Sequence, residues 1–220
     1  MIPSFQSPKN NLCFLHIYPK IDPKMNITIR KLTPDLAEDY ARFFDTTPHD
    51  DNTDESKCYC VSWCNDDSEG KDFSTAAKRR EYAVQFVKAG SIQGYLAYDD
   101  NKVVGWCNAN TRADCLKCQA GRLYLLGSIF EESPDIKVKS IFCFVIAPQM
   151  RRKGISALLL ERVCEDAVRD GFDFVEAYPN KEFVSEQMDY MGHIELYRKN
   201  GFTVYHEYPE LKNIMRKKLK

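Results

Sequence analysis

Two neighbouring patterns constrain the fold of this chain most. A continuously apolar run is followed, after a short basic loop, by a long amphipathic pattern. Residues Ile141–Ile146 are all apolar, which is typical of a central strand buried on both faces. From about Arg152 to Asp170 the apolar residues recur with the helical period, and Gly171 ends the pattern. The next segment, Phe174–Tyr178, has strand character. Strand, helix and strand in this order predict a right-handed crossover between two parallel strands.

Further strand and helix patterns lie on both sides of this unit. Strands are predicted at Ile27–Leu32, Gly94–Tyr98, Val103–Asn108, Phe202–Tyr208 and Asn213–Leu219, and helices over about 34–44, 74–88 and 194–200. Four residues join the second and third of these strands, which predicts an antiparallel hairpin. The sequence therefore predicts the α/β (α+β) class, with a mixed, mostly antiparallel central sheet flanked by helices.

Composition limits the domain count and the partners. A length of 220 residues, with 44% apolar and 29% charged residues, is typical of one globular domain. The formal net charge of −1 favours no nucleic acid, and no apolar run approaches the roughly 20 residues of a membrane helix. Residues 1–24 show neither a helical period nor a signal-peptide pattern. We therefore expect an N-terminal extension or upstream start over 1–24, a single domain over 25–220, no membrane partner and a cytoplasmic location.

The loop between the apolar run and the long helix has the chemistry of an anion site. The first turn of a helix presents unpaired N–H groups and a positive dipole end. Arg151, Arg152 and Lys153 add positive charge there, and Gly154 lets a ligand approach the backbone closely. From physics alone, phosphate binding and a solvated basic helix start remain two open interpretations. The patterns G-x-x-x-x-G-K-[ST] and G-x-G-x-x-G after a strand are absent.

Two segments together resemble the GNAT superfamily of N-acetyltransferases. Residues 151–156, Arg-Arg-Lys-Gly-Ile-Ser, resemble its motif A, Q/R-x-x-G-x-G/A, with Ser156 in place of the usual Gly or Ala. Glu195–Tyr205, "ELYRKNGFTVY", resembles motif B, a helix that bears a tyrosine and ends in Gly-Phe. The resemblance covers about Ile27 to Leu219, extends to bacterial members of undetermined substrate, and agrees with the predicted element order. It implies an enzyme that moves the acetyl group of acetyl-CoA to a primary amine.

The resemblance also implies which residues contact acetyl-CoA. In the family the backbone of the central strand pairs with the pantetheine arm, and the following loop wraps the pyrophosphate. The implied contacts at the strand end are Phe144, Val145 and Ile146. In the loop they are Arg151, Arg152, Lys153, Gly154, Ile155 and Ser156. Asn180, which follows the next strand, is a further candidate for the cofactor arm.

Three residues are candidates for proton transfer. The motif B tyrosine, Tyr197, is implied to lie near the CoA sulfur and to protonate the leaving thiolate. The reaction also needs a base for the amine proton. Glu176, in the strand after the long helix, and His193, four residues before Tyr197, are the candidates. The alternatives are a packed tyrosine, an ion-paired glutamate and a surface histidine.

The chain has nine cysteines, an odd number that argues against a disulfide framework in a cytosolic protein. Cys58, Cys60 and Cys64 lie in one long connection, and Cys115 and Cys118 in another. Such thiol sets can bind zinc. The C-x-C and C-x-x-C spacings are not usual partners, however, and no histidine is near, so we predict no metal.

The acceptor site is expected in residues 45–72, because the family commonly builds it from the connection after the first strand. Tyr59 and Trp63, with several aspartates, suit a cationic amine of a small molecule or a peptide. A solvated acidic loop is the alternative. The family also allows a homodimer. Two other functions stay open: a CoA-binding sensor without turnover, and a thiol-based metal or redox protein on this fold.

Overall fold

A computed structural model describes residues 25–47, 53–65, 69–115, 117, 135–185, 187–207 and 212–220. Their strands form one seven-stranded sheet with the order β1-β2-β3-β4-β5-β7-β6. The strands are β1 Ile27–Lys31, β2 Gly94–Asp99, β3 Lys102–Thr111, β4 Val138–Ile146, β5 Phe174–Ala177, β6 Thr203–Glu207 and β7 Asn213–Lys218. Only β4 and β5 pair in parallel, and the other neighbours are antiparallel. This confirms the predicted mixed, mostly antiparallel sheet. The predicted extension over 1–24 lies outside the described residues.

Among the described residues, five α-helices and two short 3-10 turns accompany the sheet. The helices are α1 Ala37–Thr46, α2 Ala76–Lys88, α3 Arg112–Cys115, α4 Ile155–Arg169 and α5 Ile194–Lys199. The 3-10 turns are Pro34–Leu36 and Pro148–Met150. Within the described ranges, no helix is long and apolar enough to cross a membrane.

The long helix α4 begins later than its apolar pattern predicts. Its first residue is Ile155, not Arg152. Arg152 has φ 62° and Gly154 has φ 84°, so both lie in the left-handed region, which cannot continue a right-handed helix. The prediction of Arg152 as the helix start is therefore wrong, and residues 151–154 form a separate loop.

The sheet is covered on both faces, which explains why all of β4 before Ile146 is buried. Tyr95 in β2 faces α4, where its hydroxyl donates to Asp166 Oδ2 at 3.0 Å. The next residue, Leu96, is paired with Trp106 of β3. The Trp106 ring contacts the ring of Tyr40 in α1, with centroids 4.8 Å apart. Because successive residues of a strand point to opposite faces, α4 and α1 lie on opposite sides of the sheet.

The parallel strands β4 and β5 separate along their length. Their pairing ends at Ile141 and Ala177, whereas β4 continues to Ile146. Beyond this fork, the edge of β4 that faces away from β3 is no longer covered by β5. The fork positions the cleft described next.

Candidate functional site

A cleft opens where β4 leaves β5 and α4 begins. Its volume, open mouth included, is about 940 Å³. Nine predicted site residues line it: Phe144, Val145, Ile146, Arg151, Arg152, Gly154, Ile155, Ser156 and His193. Sequence reasoning missed five more, namely Met150, Asp189, Tyr190, Gly192 and Leu196. Lys153, Asn180, Glu176, Tyr197, Tyr59 and Trp63 are not among the lining residues.

The start of α4 presents a cradle of backbone N–H groups to this cleft. The first helical bonds run from Ala157 and Leu158 to the Gly154 carbonyl. Within the described part of the chain, the N–H groups of residues 152–156 have no protein acceptor. Because unpaired N–H groups and the helix dipole both favour an anion, the geometry suits a phosphate or pyrophosphate.

The three cations of the loop occupy different positions. Arg151 is half-buried, and its Nε donates to the Ile146 carbonyl at 3.3 Å, which ties the loop to the end of β4. Lys153 is exposed, and its Nζ lies 3.9 Å from Met150 Sδ. Arg152 is exposed and lines the cleft. Of the three, Arg152 is thus the one that combines exposure with a place in the cleft wall.

The opposite wall comes from the segment between β5 and α5. Asp189 organises it, because its Oδ2 accepts the N–H groups of Val184 and Ser185 at 2.8 and 3.0 Å. The neighbouring Tyr190 carbonyl accepts the Phe144 N–H at 2.6 Å. This bond fills one position on the edge of β4 that β5 leaves uncovered. The only sequence signal for this wall is the long separation of Asn180 from Tyr197.

His193 and Asn180 have separate environments in this segment. His193 is the N-cap of α5, and its ring stacks on Phe183 with centroids 5.2 Å apart. Since α5 begins at Ile194, His193 does not share a helical face with Tyr197, but it lines the cleft. The Asn180 amide donates to Met188 O at 3.2 Å and to Asp189 Oδ1 at 3.1 Å. Asn180 thus supports the wall, and its contact with the cofactor arm stays a prediction.

Tyr197 is completely buried beneath the cleft wall. Its hydroxyl donates to the Met191 carbonyl. Burial, assisted by the nearby Cys107 thiol, raises the pKa of Tyr197 well above its usual range. A phenol with a raised pKa is a weaker acid. The acid role of Tyr197 stays a prediction, and this geometry favours the alternative of a packed tyrosine.

Glu176 lies inside a buried polar cluster. Its carboxylate accepts Arg216 Nε at 2.9 Å and the Tyr178 hydroxyl at 2.6 Å. Arg112 Nη1 approaches it at 3.3 Å. These contacts agree with the ion-paired alternative. The role of Glu176 as a base stays a prediction for which the cleft provides no direct contact.

The two predicted acceptor residues are buried on the α1 side of the sheet. The Tyr59 hydroxyl donates to Asp45 Oδ1 at 2.8 Å. The Trp63 ring stacks on Phe142 with centroids 4.5 Å apart and planes 13° apart. Tyr178 also stacks on Phe142, at 5.3 Å. Trp63 therefore belongs to an aromatic stack at the fork, and both acceptor assignments stay predictions.

Comparison of the sequence with models of protein families identifies the family to which this arrangement belongs. The model of the acetyltransferase (GNAT) family matches residues 33–202, which include the fork, the N–H cradle and the opposite wall. The chain belongs to the GNAT family. The predicted resemblance of the chain to that family is thereby confirmed.

The fold of this GNAT protein is similar to several solved structures. An N-acetyltransferase from Staphylococcus aureus Mu50 shares 13% identity with a TM-score of 0.51, over 89% of this chain and 99% of that one. The yncA protein of Salmonella typhimurium, solved with its cofactor acetyl-CoA, shares 14% with a TM-score of 0.51, over 89% and 95%. A chain of the NatC complex bound to Gag peptide and CoA shares 14% with a TM-score of 0.52, over 89% and 100%. At these identities the likeness shows the fold. A search of curated proteins gave no match.

The cysteines of the GNAT chain do not form a metal centre within the described ranges. No group of three or more His, Cys, Asp or Glu residues in those ranges is placed to hold a metal ion. The seven cysteines described there form no disulfide. Cys118, the second cysteine of the C-x-x-C pattern, lies outside the described residues.

Replacing Tyr197 with phenylalanine separates the acid role from the packing role. We expect Tyr197→Phe to lower the free energy of unfolding by about 1–3 kcal/mol, because the buried Met191 carbonyl loses its donor. Urea denaturation measures this loss. We expect kcat for acetyl transfer to change less than about tenfold. A fall in kcat of about 100-fold or more with unchanged stability would instead support general acid catalysis.

Proposed function

We propose that this GNAT protein is an N-acetyltransferase that moves the acetyl group of acetyl-CoA to a primary amine of a small molecule or a peptide. One observation carries the proposal: an edge of β4 without β5 and a cradle of unpaired N–H groups border the same cleft. The first suits an extended arm with amide groups, and the second suits a pyrophosphate. Acetyl-CoA combines both chemistries in one molecule.

In the proposed complex the two groups of predicted cofactor contacts act on different parts of acetyl-CoA. The backbone of Phe144, Val145 and Ile146 pairs with the pantetheine arm, and the N–H groups of residues 152–156 bind the pyrophosphate. Arg152 adds positive charge at the mouth of the cleft. An arm that pairs with the Phe144 N–H has to displace the Tyr190 carbonyl, which holds that N–H in this structure.

The proposed chemistry needs a neutral amine, a base and a donor for the departing sulfur. The amine nitrogen attacks the thioester carbonyl, its proton passes to a base, and the C–S bond then breaks to release CoA. Of the two predicted bases, only His193 lines the cleft. We therefore favour His193 over Glu176, whose carboxylate is occupied by two arginines.

The acceptor is proposed to enter from the α1 side of the sheet. On that side the ring of Trp63 lies against Phe142 of β4, at the fork. Trp63 keeps 8% of its surface exposed, whereas Tyr59 keeps 3%. Trp63 is thus the more accessible of the two proposed acceptor contacts, and its aromatic face suits a cationic amine before deprotonation.

Two measurements test the proposal together. A ligand at 100 times its Kd stabilises the folded state by about 2.7 kcal/mol, and for a domain of this size that corresponds to a rise in Tm of roughly 5–10 °C. We expect acetyl-CoA to give this rise. Acetyl-pantetheine lacks the pyrophosphate and serves as the matched control, for which we expect little or no rise.

The second measurement follows release of free CoA in the presence of a panel of primary amines. We expect at least one amine to accelerate release above the rate of hydrolysis. A rise in Tm without accelerated release across small amines and peptide amines would favour the CoA-binding sensor. Absence of any rise in Tm with millimolar acetyl-CoA would contradict the donor assignment itself.

A further inference from the structure

Two thiols from distant parts of the chain, Cys60 and Cys143, meet on the α1 side of the sheet. Cys143 of β4 is paired with Asn108 of β3, and directly opposed residues of antiparallel strands point to the same face. The Asn108 amide donates from Nδ2 to Cys60 Sγ at 3.4 Å. Both thiols are buried, each with 3% of its surface exposed. Asn108 therefore brings the thiol of the cysteine-rich segment to the thiol of β4.

The backbone of the cysteine-rich segment is contorted at this point. Tyr59 and Cys60 are consecutive non-glycine residues with φ of 47° and 53°, and each left-handed residue costs about 1–3 kcal/mol. Surrounding contacts hold them in place. The Tyr40 hydroxyl donates to the Tyr59 carbonyl at 2.8 Å, and Asn108 Nδ2 donates to the Trp63 carbonyl at 2.9 Å. The left-handed pair thus directs Cys60 towards β4. Because both cysteines are buried, oxidation of the pair requires a local opening that admits a small oxidant.

The pKa values of the two thiols are shifted in opposite directions. Hydrogen bonding with the Cys143 thiol, and then with Asn108, lowers the pKa of Cys60 in spite of its burial. The same contact with Cys60, and then burial, raises the pKa of Cys143 well above its usual range. A thiolate is the nucleophile in thiol oxidation, and a neighbouring thiol can resolve the oxidised product. The lowered pKa suits Cys60 to the role of the attacking thiol, and its position beside Cys60 makes Cys143 the candidate for the resolving thiol.

We propose that Cys60 and Cys143 form an oxidation site at which a hydroperoxide produces an intramolecular disulfide. The Cys60 sulfur attacks one peroxide oxygen, the O–O bond breaks, and Cys60 becomes a sulfenic acid while the other oxygen leaves and is protonated. The Cys143 sulfur then attacks the sulfenic sulfur, the S–O bond breaks, and water leaves. In total, two thiols lose two electrons and two protons, and one hydroperoxide becomes one alcohol, or water, and one water.

The position of this pair connects it to the cleft. Cys143 directly precedes Phe144. Phe144 lines the cleft, and its N–H donates to the Tyr190 carbonyl. A bond between the two sulfurs fastens the cysteine-rich segment to β4 at this wall. The inference stands on the thiol geometry and does not depend on the acetyl-transfer proposal.

Peptide mapping of the 220-residue chain tests the inference. The reduced protein is treated with hydrogen peroxide, the remaining thiols are blocked, and cross-linked peptides are identified by mass spectrometry. We expect a cross-link between Cys60 and Cys143, a loss of two of the nine thiols, and recovery of both on treatment with dithiothreitol. A cross-link between Cys58 and Cys60, a sulfinic acid on one cysteine alone, or no loss of thiols would overturn the proposal.

Variants sharpen the assignment. Cys60→Ser and Cys143→Ser are each expected to abolish the paired loss of thiols, and Cys60→Ala replaces the first if serine prevents folding. Cys58→Ser is the matched control, since Cys58 belongs to the same segment but is expected to leave the Cys60–Cys143 cross-link at the level of the unmodified protein. Paired loss that persists in Cys143→Ser would show a different resolving thiol and reject the proposed pair. The wild-type peptide map decides the question even where a variant fails to fold.

Discussion

Replacement of Gly154 with alanine is expected to raise the Kd for acetyl-CoA by about 5- to 30-fold. Gly154 has φ 84° at the N-cap of α4, a conformation that costs an L-residue with a side chain about 1–2 kcal/mol. The loop relieves this cost by turning away, and the N–H groups of residues 152–156 then no longer converge. Acetyl-CoA restores the converging arrangement only by paying that cost of about 1–2 kcal/mol, which corresponds to a factor of about 5–30 in Kd. Titration calorimetry with acetyl-CoA measures the change.

The chain offers a matched control in Gly171. This glycine follows the other end of α4 with φ 75°, and a Cβ placed there meets nothing within 4 Å. Gly171→Ala therefore imposes a similar backbone cost at a position outside the cleft lining. We expect Gly171→Ala to lower the free energy of unfolding by about 1–2 kcal/mol without weakening binding. Gly154→Ala is expected to lose less stability, because its loop relaxes, but to weaken binding. Equal Kd values for the two variants would contradict the assigned cradle.

The architecture could be predicted because it depends on local patterns. The apolar run at Ile141–Ile146 and the helical period behind it are properties of neighbouring residues, and both elements formed. The start of α4 was misplaced because the left-handed conformation of Arg152 has no signature in its residue type. Gly154 carried such a signature, and it is where the helix cap lies.

One wall of the cleft could be predicted and the other could not. The loop of residues 151–156 is contiguous, so its charge, its glycine and its helix start are read together. The wall of Asp189, Tyr190 and Gly192 has no periodicity. Its shape depends on Asp189 accepting the N–H groups of Val184 and Ser185, and an acidic residue in a loop does not by itself indicate such bonds.

The roles of the candidate proton carriers could not be predicted from the sequence either. Residue type identifies a tyrosine or a glutamate as able to exchange protons, but its partners decide whether it does so. Tyr197 donates to the Met191 carbonyl, and Glu176 is paired with an arginine from β7, Arg216. Such long-range partners follow from the sheet order, which places β7 beside β5.

Truncation of Glu176 is expected to destabilise the fold more than any surface substitution. Glu176→Ala leaves Arg112 and Arg216 without this carboxylate, and their side chains are only 14% and 5% exposed. Removing one partner of a buried ion pair typically costs about 3–5 kcal/mol, because the opposite charge stays buried and loses this counter-charge. The free energy of unfolding of a domain is commonly about 5–15 kcal/mol in total. The variant should therefore still fold, but with a much lower urea midpoint. Equilibrium urea denaturation followed by circular dichroism measures the loss.

Two comparisons separate this structural role from catalysis. Glu195→Ala removes an exposed carboxylate that contacts Arg198, with side chains 60% and 54% exposed, and is expected to cost less than about 1 kcal/mol. Glu176→Gln keeps oxygen and nitrogen atoms near the arginines and tests the base role in a folded chain. We expect its kcat to stay within about tenfold of wild type, because His193 and not Glu176 borders the cleft. If Glu176→Gln were as stable as wild type but lost about 100-fold or more in kcat, the buried carboxylate would have to be the base, and the cleft would have to open towards β5 during the reaction.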